Sequence, residues 1–199
     1  KVGIIKLPSI SNFSDFDPLD NEESLLIEWV RESQNLNKYD FIILPGSKQT
    51  IKDQIFLENS GLSQDIREYS NSHGNIIGIC GGLQMLGTSL EDPYSKEGPK
   101  IYSQQKTKGI GLLPLKTTFF EKKLTRQINS ESLWPCQSKI SGFEIHNGHT
   151  ELDNSHNSLK INPIFKDLNL GWYRENKGGG TIAGTYVPVS YTHLTLPTS

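Results

Sequence analysis

Cys80 stands in the run Gly78-Ile79-Cys80-Gly81-Gly82-Leu83-Gln84-Met85-Leu86-Gly87, directly after the apolar stretch Asn75-Ile76-Ile77. A cysteine framed by glycines two places before and two after, between an apolar strand and a helix-forming segment, has the layout of a nucleophile elbow. Such a turn holds the nucleophile in a strained backbone conformation, and side chains at Gly78 or Gly82 would collide with neighbouring backbone. The helix that follows brings free N–H groups and a positive dipole end to the sulfur, so thiolate is expected over thiol. The Gly81 N–H is then placed to receive an oxyanion. A cysteine behind an apolar strand is by default a small buried hydrophobe. The flanking glycines, with Gln84 four residues on, favour the nucleophile instead.

The other reactive residue types lack such a frame. Cys136 lies in Leu133-Trp134-Pro135-Cys136-Gln137, with no glycines and no helix behind it, and is expected to be a packing residue. His73, His149 and His156 fall in loop-like contexts and are expected to be solvated surface histidines. No pair of Cys or His residues has metal-ligand spacing, so no metal site is expected. Glu144 and His146 end a strand-like block. They are read either as polar residues satisfying a turn or as a pair with histidine tautomer chemistry.

The elements that must position these residues follow from apolar periodicity. Val2-Gly3-Ile4-Ile5-Lys6-Leu7 predicts a buried strand, and Ser9 to Pro18 a polar loop with Phe13 and Phe16 embedded in it. Asn21 is a candidate cap for a helix running to about Ser33, with Leu25, Leu26, Trp29 and Val30 on one face. Phe41 to Leu44 predicts a strand turned sharply by Pro45-Gly46-Ser47-Lys48. Helices are expected over about 50–59 and 63–72, then the strand into Cys80 and an elbow helix to about Leu90. This alternation predicts an α/β fold, a doubly wound, mostly parallel sheet with helices on both faces. Ligands of such sheets sit beyond the carboxyl ends of the strands. The loop after Leu7, the Pro45-Gly46 turn and Cys80 all lie at such ends, so three loops are expected to converge on one crevice. Beyond Pro93 the pattern turns to strands: 109–115, 117–120, 142–146 and 180–187, with a hairpin turn at Lys177-Gly178-Gly179-Gly180.

Composition sets outer limits. The 199 residues suit one domain, 34% hydrophobic and 21% charged. A formal net charge of -2 gives no electrostatic footprint for nucleic acid or an anionic membrane. No apolar stretch is long enough to span a bilayer, and two cysteines make no disulfide framework, so a cytoplasmic location is expected. The opening Lys1, followed at once by a strand-like run, reads as a piece cut from a longer polypeptide.

Several blocks together resemble the class I glutamine amidotransferase domain of cobyric acid synthases, with a flavodoxin-like fold. They are Ser11-Asn12-Phe13-Ser14-Asp15-Phe16-Asp17-Pro18-Leu19, Leu44-Pro45-Gly46-Ser47-Lys48-Gln49-Thr50-Ile51, the elbow, Gly109-Ile110-Gly111-Leu112-Leu113, Gly142-Phe143-Glu144-Ile145-His146-Asn147-Gly148-His149-Thr150 and Gly184-Thr185-Tyr186-Val187. The elbow alone would indicate only a class I amidotransferase; the first and fifth blocks point to the cobyric acid branch. The resemblance implies glutamine hydrolysis at Cys80, with an oxyanion hole from the N–H groups of Gly81 and of the Gly46–Ser47 turn. It implies substrate contacts at Gln84, and at Glu144 and His146 with less defined roles. Ammonia would pass to a synthetase domain of the same full-length protein, which uses ATP to amidate carboxylates of a corrinoid substrate. That domain would carry the phosphate-binding loop, and no G-x-x-x-x-G-K-[ST] run occurs here, so ATP and Mg are expected there and no cofactor in this domain.

One departure concerns the base. Members of this family carry a histidine directly after Gly-Thr-Tyr-x, followed by glycine, and this sequence has Pro188 and Val189 there. Residues 1–187 are therefore read as the amidotransferase domain, and 188–199 as a tail unrelated to the family and disordered. His193, five residues beyond Pro188, is a poor substitute at a chain end. The alternatives are a catalytically impaired domain that binds glutamine or a partner, or an amidotransferase subunit of another ligase. A cysteine peptidase or α/β-hydrolase would also use an elbow, but gives no reason for Gln84 or the Glu144–His146 block.

Overall fold

The computed structural model describes residues 1–97, 106–156 (without the His156 side chain), 159–167, 169–176 and 179–187. In chain order its strands are β1 (Val2–Ile5), β2 (Ile27–Val30), β3 (Phe41–Leu44), β4 (Asn75–Ile79), β5 (Ser89–Glu91), β6 (Thr107–Lys108), β7 (Leu115–Thr118), β8 (Leu124–Ser132), β9 (Ser138–His146), β10 (His149–Leu152), β11 (Asn162–Pro163), β12 (Gly171–Glu175) and β13 (Thr181–Thr185). The helices are α1 (Asp17–Asp20), α2 (Thr50–Ser60), α3 (Leu62–Asn71) and α4 (Gly81–Leu86).

The central sheet has seven strands in the order β11-β12-β13-β4-β3-β1-β2. From β13 to β2 all pairings are parallel, and β12 and β11 add an antiparallel edge. Runs such as Val2-Gly3-Ile4-Ile5 are buried at every position, as parallel strands covered on both faces require. The mostly parallel α/β architecture read from the alternation is the one observed. Ile4, Ile42, Leu44, Ile76, Leu57, Ile66 and Leu83 are fully buried and belong to a continuous core. Gly61, at φ +83°, ends α2 in the left-handed conformation and starts α3. No helix is long and apolar enough to cross a membrane among the described residues.

Four expectations are corrected. Of the strand read over 109–115 only Leu115 lies in a strand, as the first residue of β7, because residues 110–113 turn their N–H groups to the end of α4 instead. The helix over 21–33 is absent; the chain makes the short α1 and then β2, which pairs parallel to β1 with Ile4 opposite Trp29. Leu25, Leu26, Trp29 and Val30 fit a helical face, but β1 offers an edge whose hydrogen bonds outweigh that local pattern. Leu26 is 58% exposed, which a buried helical stripe would not allow. The elbow helix stops at Leu86 instead of about Leu90. The segment after β6 donates backbone N–H groups from Ile110 to Met85 O, and from Leu112 and Leu113 to Leu86 O, taking up the carbonyls of the last turn of α4. Cys136 is exposed and is no packing residue.

Two further sheets flank the elbow: β10-β7-β5-β6, and the antiparallel hairpin β8–β9. The hairpin is aligned so that Leu124 faces His146 and Arg126 faces Glu144. The turn expected at 177–180 does connect two antiparallel strands, β12 and β13, though Lys177 and Gly178 lie outside the described residues.

Candidate active site

Cys80 is the single residue between β4 and α4, at φ 50° and ψ -106°. That backbone conformation is strained for a residue with a Cβ and persists only where the surroundings enforce it. Here they do. A Cβ on Gly78 would stand 2.6 Å from the Gly82 carbonyl group, and one on Gly82 only 1.9 Å from Leu44 O. On the other side Cys80 N–H donates to Thr185 O at 2.8 Å, tying the elbow to β13. The glycine frame therefore acts as the sequence implies, packing strand, elbow and helix backbone to backbone.

The sulfur departs from expectation. Cys80 is half-buried, its thiol lies 3.7 Å from Ile145 O as donor, and burial pushes its pKa up to about 11. The Gly81 N–H and Lys123 pull the value down, while Glu97 and Asp15 add to the rise. The dipole of the six-residue α4 does not outweigh desolvation, so the resting group is a thiol. Alkylation of Cys80 by a small neutral reagent is expected to rise about tenfold per pH unit between pH 7 and 10, still climbing where an ordinary thiol has levelled off. A plateau near pH 8.5 in a mass-spectrometric rate profile would contradict the burial account.

The Pro45-Gly46-Ser47 turn forms the facing wall. A Cβ on Gly81 would lie 2.8 Å from Ser47 N, so the Ser47 and Gly81 backbones are side by side. The turn is held from behind by Asp53 of α2, which accepts from Ser47 Oγ at 2.6 Å and from Ser9 N–H at 3.2 Å. Burial raises the Asp53 pKa, and these hydrogen bonds oppose the rise. Ser11 N–H donates to Gly46 O at 2.9 Å, joining the loop after β1 to the same turn. Asp53→Ala would strip partners from Ser47 and Ser9, and a loss of about 1–3 kcal/mol is expected in denaturant unfolding. An unchanged midpoint would mean that the turn stands without it.

The crevice between these walls has a volume of about 830 Å³ and is lined by Ser11, Gly46, Ser47, Cys80, Gln84 and His146, among others. The convergence of three loops is observed. Gln84 is 2% exposed, and its amide is engaged within the protein. Its Nε2 donates to Asn147 O at 3.0 Å and Tyr186 Oη at 3.2 Å, and its Oε1 accepts from Thr50 Oγ1 at 3.4 Å. Tyr186 Oη also shares a hydrogen bond with Thr150 Oγ1, which pairs with Thr117 Oγ1 at 2.6 Å. Burial raises the Tyr186 pKa, keeping it a neutral phenol.

Glu144 and His146 form a pair. His146 Nε2 lies 2.8 Å from Glu144 Oε1, its Nδ1 3.0 Å from Gly148 O, and its ring stacks on Tyr186 at 3.8 Å. Both ring nitrogens face acceptors, so neither directs a lone pair at Cys80. Glu144, 2% exposed, sits behind His146 and also binds Arg126 Nε. Burial alone would raise the Glu144 pKa, but hydrogen bonds from His146 and Arg126 outweigh it and hold the value down. Stability contributed by this carboxylate is thus present above its ordinary range and lost as pH falls through the lowered value.

Thr50, Glu97, Asn147 and Tyr186 belong to the site although sequence reasoning does not single them out. Thr50, Asn147 and Tyr186 sit in blocks that carry the family resemblance; Glu97 has no local signal. His73 and His149 are exposed, as expected. Pro188 and His193 lie outside the described residues. No group of three or more His, Cys, Asp or Glu converges as a metal site would require, among the described residues.

Comparison with known proteins fits this geometry. Residues 1–195 match the model of the CobB/CobQ-like glutamine amidotransferase domain. A cobyric acid synthase of Prochlorococcus marinus strain MIT 9312 is 84% identical over 94% of the chain, and one of strain NATL2A 47% identical over the same share. The chain spans only 37% of the length of either relative. Among solved structures, PurLQS from Thermotoga maritima superposes with TM-score 0.64 at 16% identity, covering 94% of this chain and 85% of that one. A glutamine amidotransferase from the same organism gives 0.60 at 15% identity, covering 96% and 76%. The strained elbow cysteine, the turn against Gly81 and the match over nearly the whole sequence have one reading: the chain belongs to the CobB/CobQ-like glutamine amidotransferase domain family.

Proposed function

We propose that this chain is the glutaminase part of a cobyric acid synthase, with Cys80 as nucleophile. The observation that carries the reading is the forced conformation of Cys80 beside the Ser47 turn, inside a crevice roomy enough to admit an amino acid. In this mechanism the Cys80 thiolate attacks the glutamine carboxamide carbon, and the carbonyl oxygen takes the negative charge. The N–H groups of Gly81 and of the Gly46–Ser47 turn stabilise that oxyanion. The C–N bond then breaks as nitrogen gains a proton and leaves as ammonia. Water cleaves the resulting thioester to release glutamate and restore the thiol. Gln84 fixes the wall through Asn147 and Tyr186, leaving backbone groups to meet the substrate. Ammonia passes to the synthetase part of the longer protein, where ATP and Mg²⁺ would serve the amidation of corrinoid carboxylates.

The proton balance identifies the weak point. The thiol proton is directed at the Ile145 carbonyl, which is no base, and Pro188 stands where the family carries histidine. The chain is accordingly proposed to bind and be modified by glutamine analogues while turning glutamine over slowly. The direct test is 6-diazo-5-oxo-L-norleucine followed by peptide mapping. Modification of Cys80 with Cys136 spared is expected, even though Cys136 is the more exposed thiol. Label on Cys136 alone would sink the assignment.

A further inference from the structure

Asp53 is a buried carboxylate that stands behind the crevice wall. Its relative exposure is 0% and it does not line the crevice, so substrate is not its partner. Among the described residues no Lys, Arg or His pairs with it, and Lys52 acts on it only as a more distant charge. Holding a carboxylate there costs free energy that a few hydrogen bonds only partly offset, and a neutral side chain would pack at lower cost. Where those bonds go is therefore informative. Oδ2 accepts from Ser47 Oγ at 2.6 Å, and both oxygens accept from Ser9 N–H at 3.2 Å. Ser47 Oγ in turn accepts from Gln49 N–H at 2.9 Å, so its donor is committed and its rotamer is fixed from two sides.

The backbone around Ser47 shows what this arrangement holds. Ile10 and Ser47 face each other across an antiparallel bridge, in which Ser11 N–H donates to Gly46 O and Lys48 N–H to Ser9 O. In a pair flanked by hydrogen bonds in this way, the N–H and C=O of Ser47 itself point away from the partner segment. The trans peptide agrees: with Gly46 O turned to Ser11, the Ser47 N–H lies on the opposite side. That side holds Gly81, on which a Cβ would stand 2.8 Å from Ser47 N. The Ser47 N–H has no acceptor among the described residues. We infer that Asp53 is a positioning residue for the glutaminase reaction: through the Ser47 hydroxyl it holds the Gly46–Ser47 peptide with its N–H set for the oxyanion. The inference rests on the glutaminase reading and deepens it. Asp53 also binds Ser9, whose O takes Lys48 N–H, so one carboxylate ties both segments of the bridge. A donor fixed in advance needs no reorganisation when charge develops on the carbonyl oxygen.

The test separates oxyanion formation from thiol reactivity. In a Cys136→Ser background Cys80 is the only thiol, and two small reagents are compared. p-Nitrophenyl acetate acylates it: sulfur bonds the carbonyl carbon, the oxygen carries the charge, and p-nitrophenolate leaves with its electron pair, needing no proton donor. Iodoacetamide alkylates it by displacing iodide, and no oxyanion forms. Both rates scale with the same thiolate, so their ratio cancels the fraction of thiolate present. With Asp53 present the acylation-to-alkylation ratio is expected to exceed that of N-acetylcysteine by about 100-fold, and in Asp53→Ala to fall about 10- to 100-fold. Ser47→Ala keeps the backbone donor and Asp53 but removes the hydroxyl between them. It should give a similar fall, and the double variant no further one. Rates are read where urea unfolding shows each variant folded, and should Asp53→Ala not fold, Ser47→Ala decides. A ratio unchanged in either folded variant, or separate falls that add in the double variant, overturns the inference and leaves Asp53 a structural anchor. If the chain with Asp53 has no higher ratio than N-acetylcysteine, Cys80 has no oxyanion wall and the glutaminase reading falls as well.

Discussion

A chain carrying Pro188→His together with Val189→Gly is expected to hydrolyse glutamine about a thousandfold faster than the chain with Pro188, within the range that a positioned general base supplies. The expectation rests on where β13 leads. Gly184 and Thr185 pair with Gly78 and Ile79, and Thr185 O accepts from Cys80 N–H, so both strands end at the same sheet edge. Tyr186 then stacks on His146, and Val187 is buried with its N–H on Thr185 Oγ1 at 2.9 Å. The backbone therefore reaches the crevice just before position 188. A histidine supplied there would take the thiol proton that Ile145 O cannot hold and return it to the leaving ammonia. Ammonia release measured by a coupled assay decides the matter. If the Pro188 chain already turns over briskly and His193→Ala abolishes this, the base lies in the last residues and the account of Pro188 is wrong. If His146→Gln abolishes it instead, the Glu144–His146 pair is the base despite its engaged nitrogens.

What can be read from the sequence divides along physical lines. The elbow is legible because backbone sterics dictate it: only glycine fits at Gly78 and Gly82, and the sequence displays that constraint directly. The parallel strands are legible because burial on both faces writes itself as uninterrupted Ile, Val and Leu. The 21–33 segment misleads because its apolar residues satisfy two periodicities, and the deciding factor is the edge of β1, which lies far away in sequence. The thiol misleads for a related reason. A helix N-terminus is a local feature, whereas the desolvation that lifts the Cys80 pKa comes from walls supplied by the β8–β9 hairpin and the Gly46–Ser47 turn. Glu97 is invisible on the same grounds, since its partners Thr50 and Asn147 are 47 and 50 residues away.

Gly82→Ala is expected to cost about 3 kcal/mol or more and to abolish specific labelling of Cys80, an overpacking penalty at the upper end of its range. A new Cβ would sit 1.9 Å from Leu44 O, 2.8 Å from Leu44 C and 3.0 Å from Pro45 O. All three are backbone atoms of β3 and its turn, so no side chain can swing aside to relieve the contact. Relief requires α4 to move away from β3, which would also separate Gly81 from Ser47 and unbuild the proposed oxyanion site. Gly142→Ala is the matched control. Its Cβ would meet only Val187 Cγ1 at 3.8 Å, an ordinary contact, and a change within about 0.5 kcal/mol is expected. Urea unfolding of both variants beside the unsubstituted chain measures the difference. Should Gly82→Ala match Gly142→Ala in stability and still label at Cys80, strand, turn and helix would not be locked together as the close backbone contacts require.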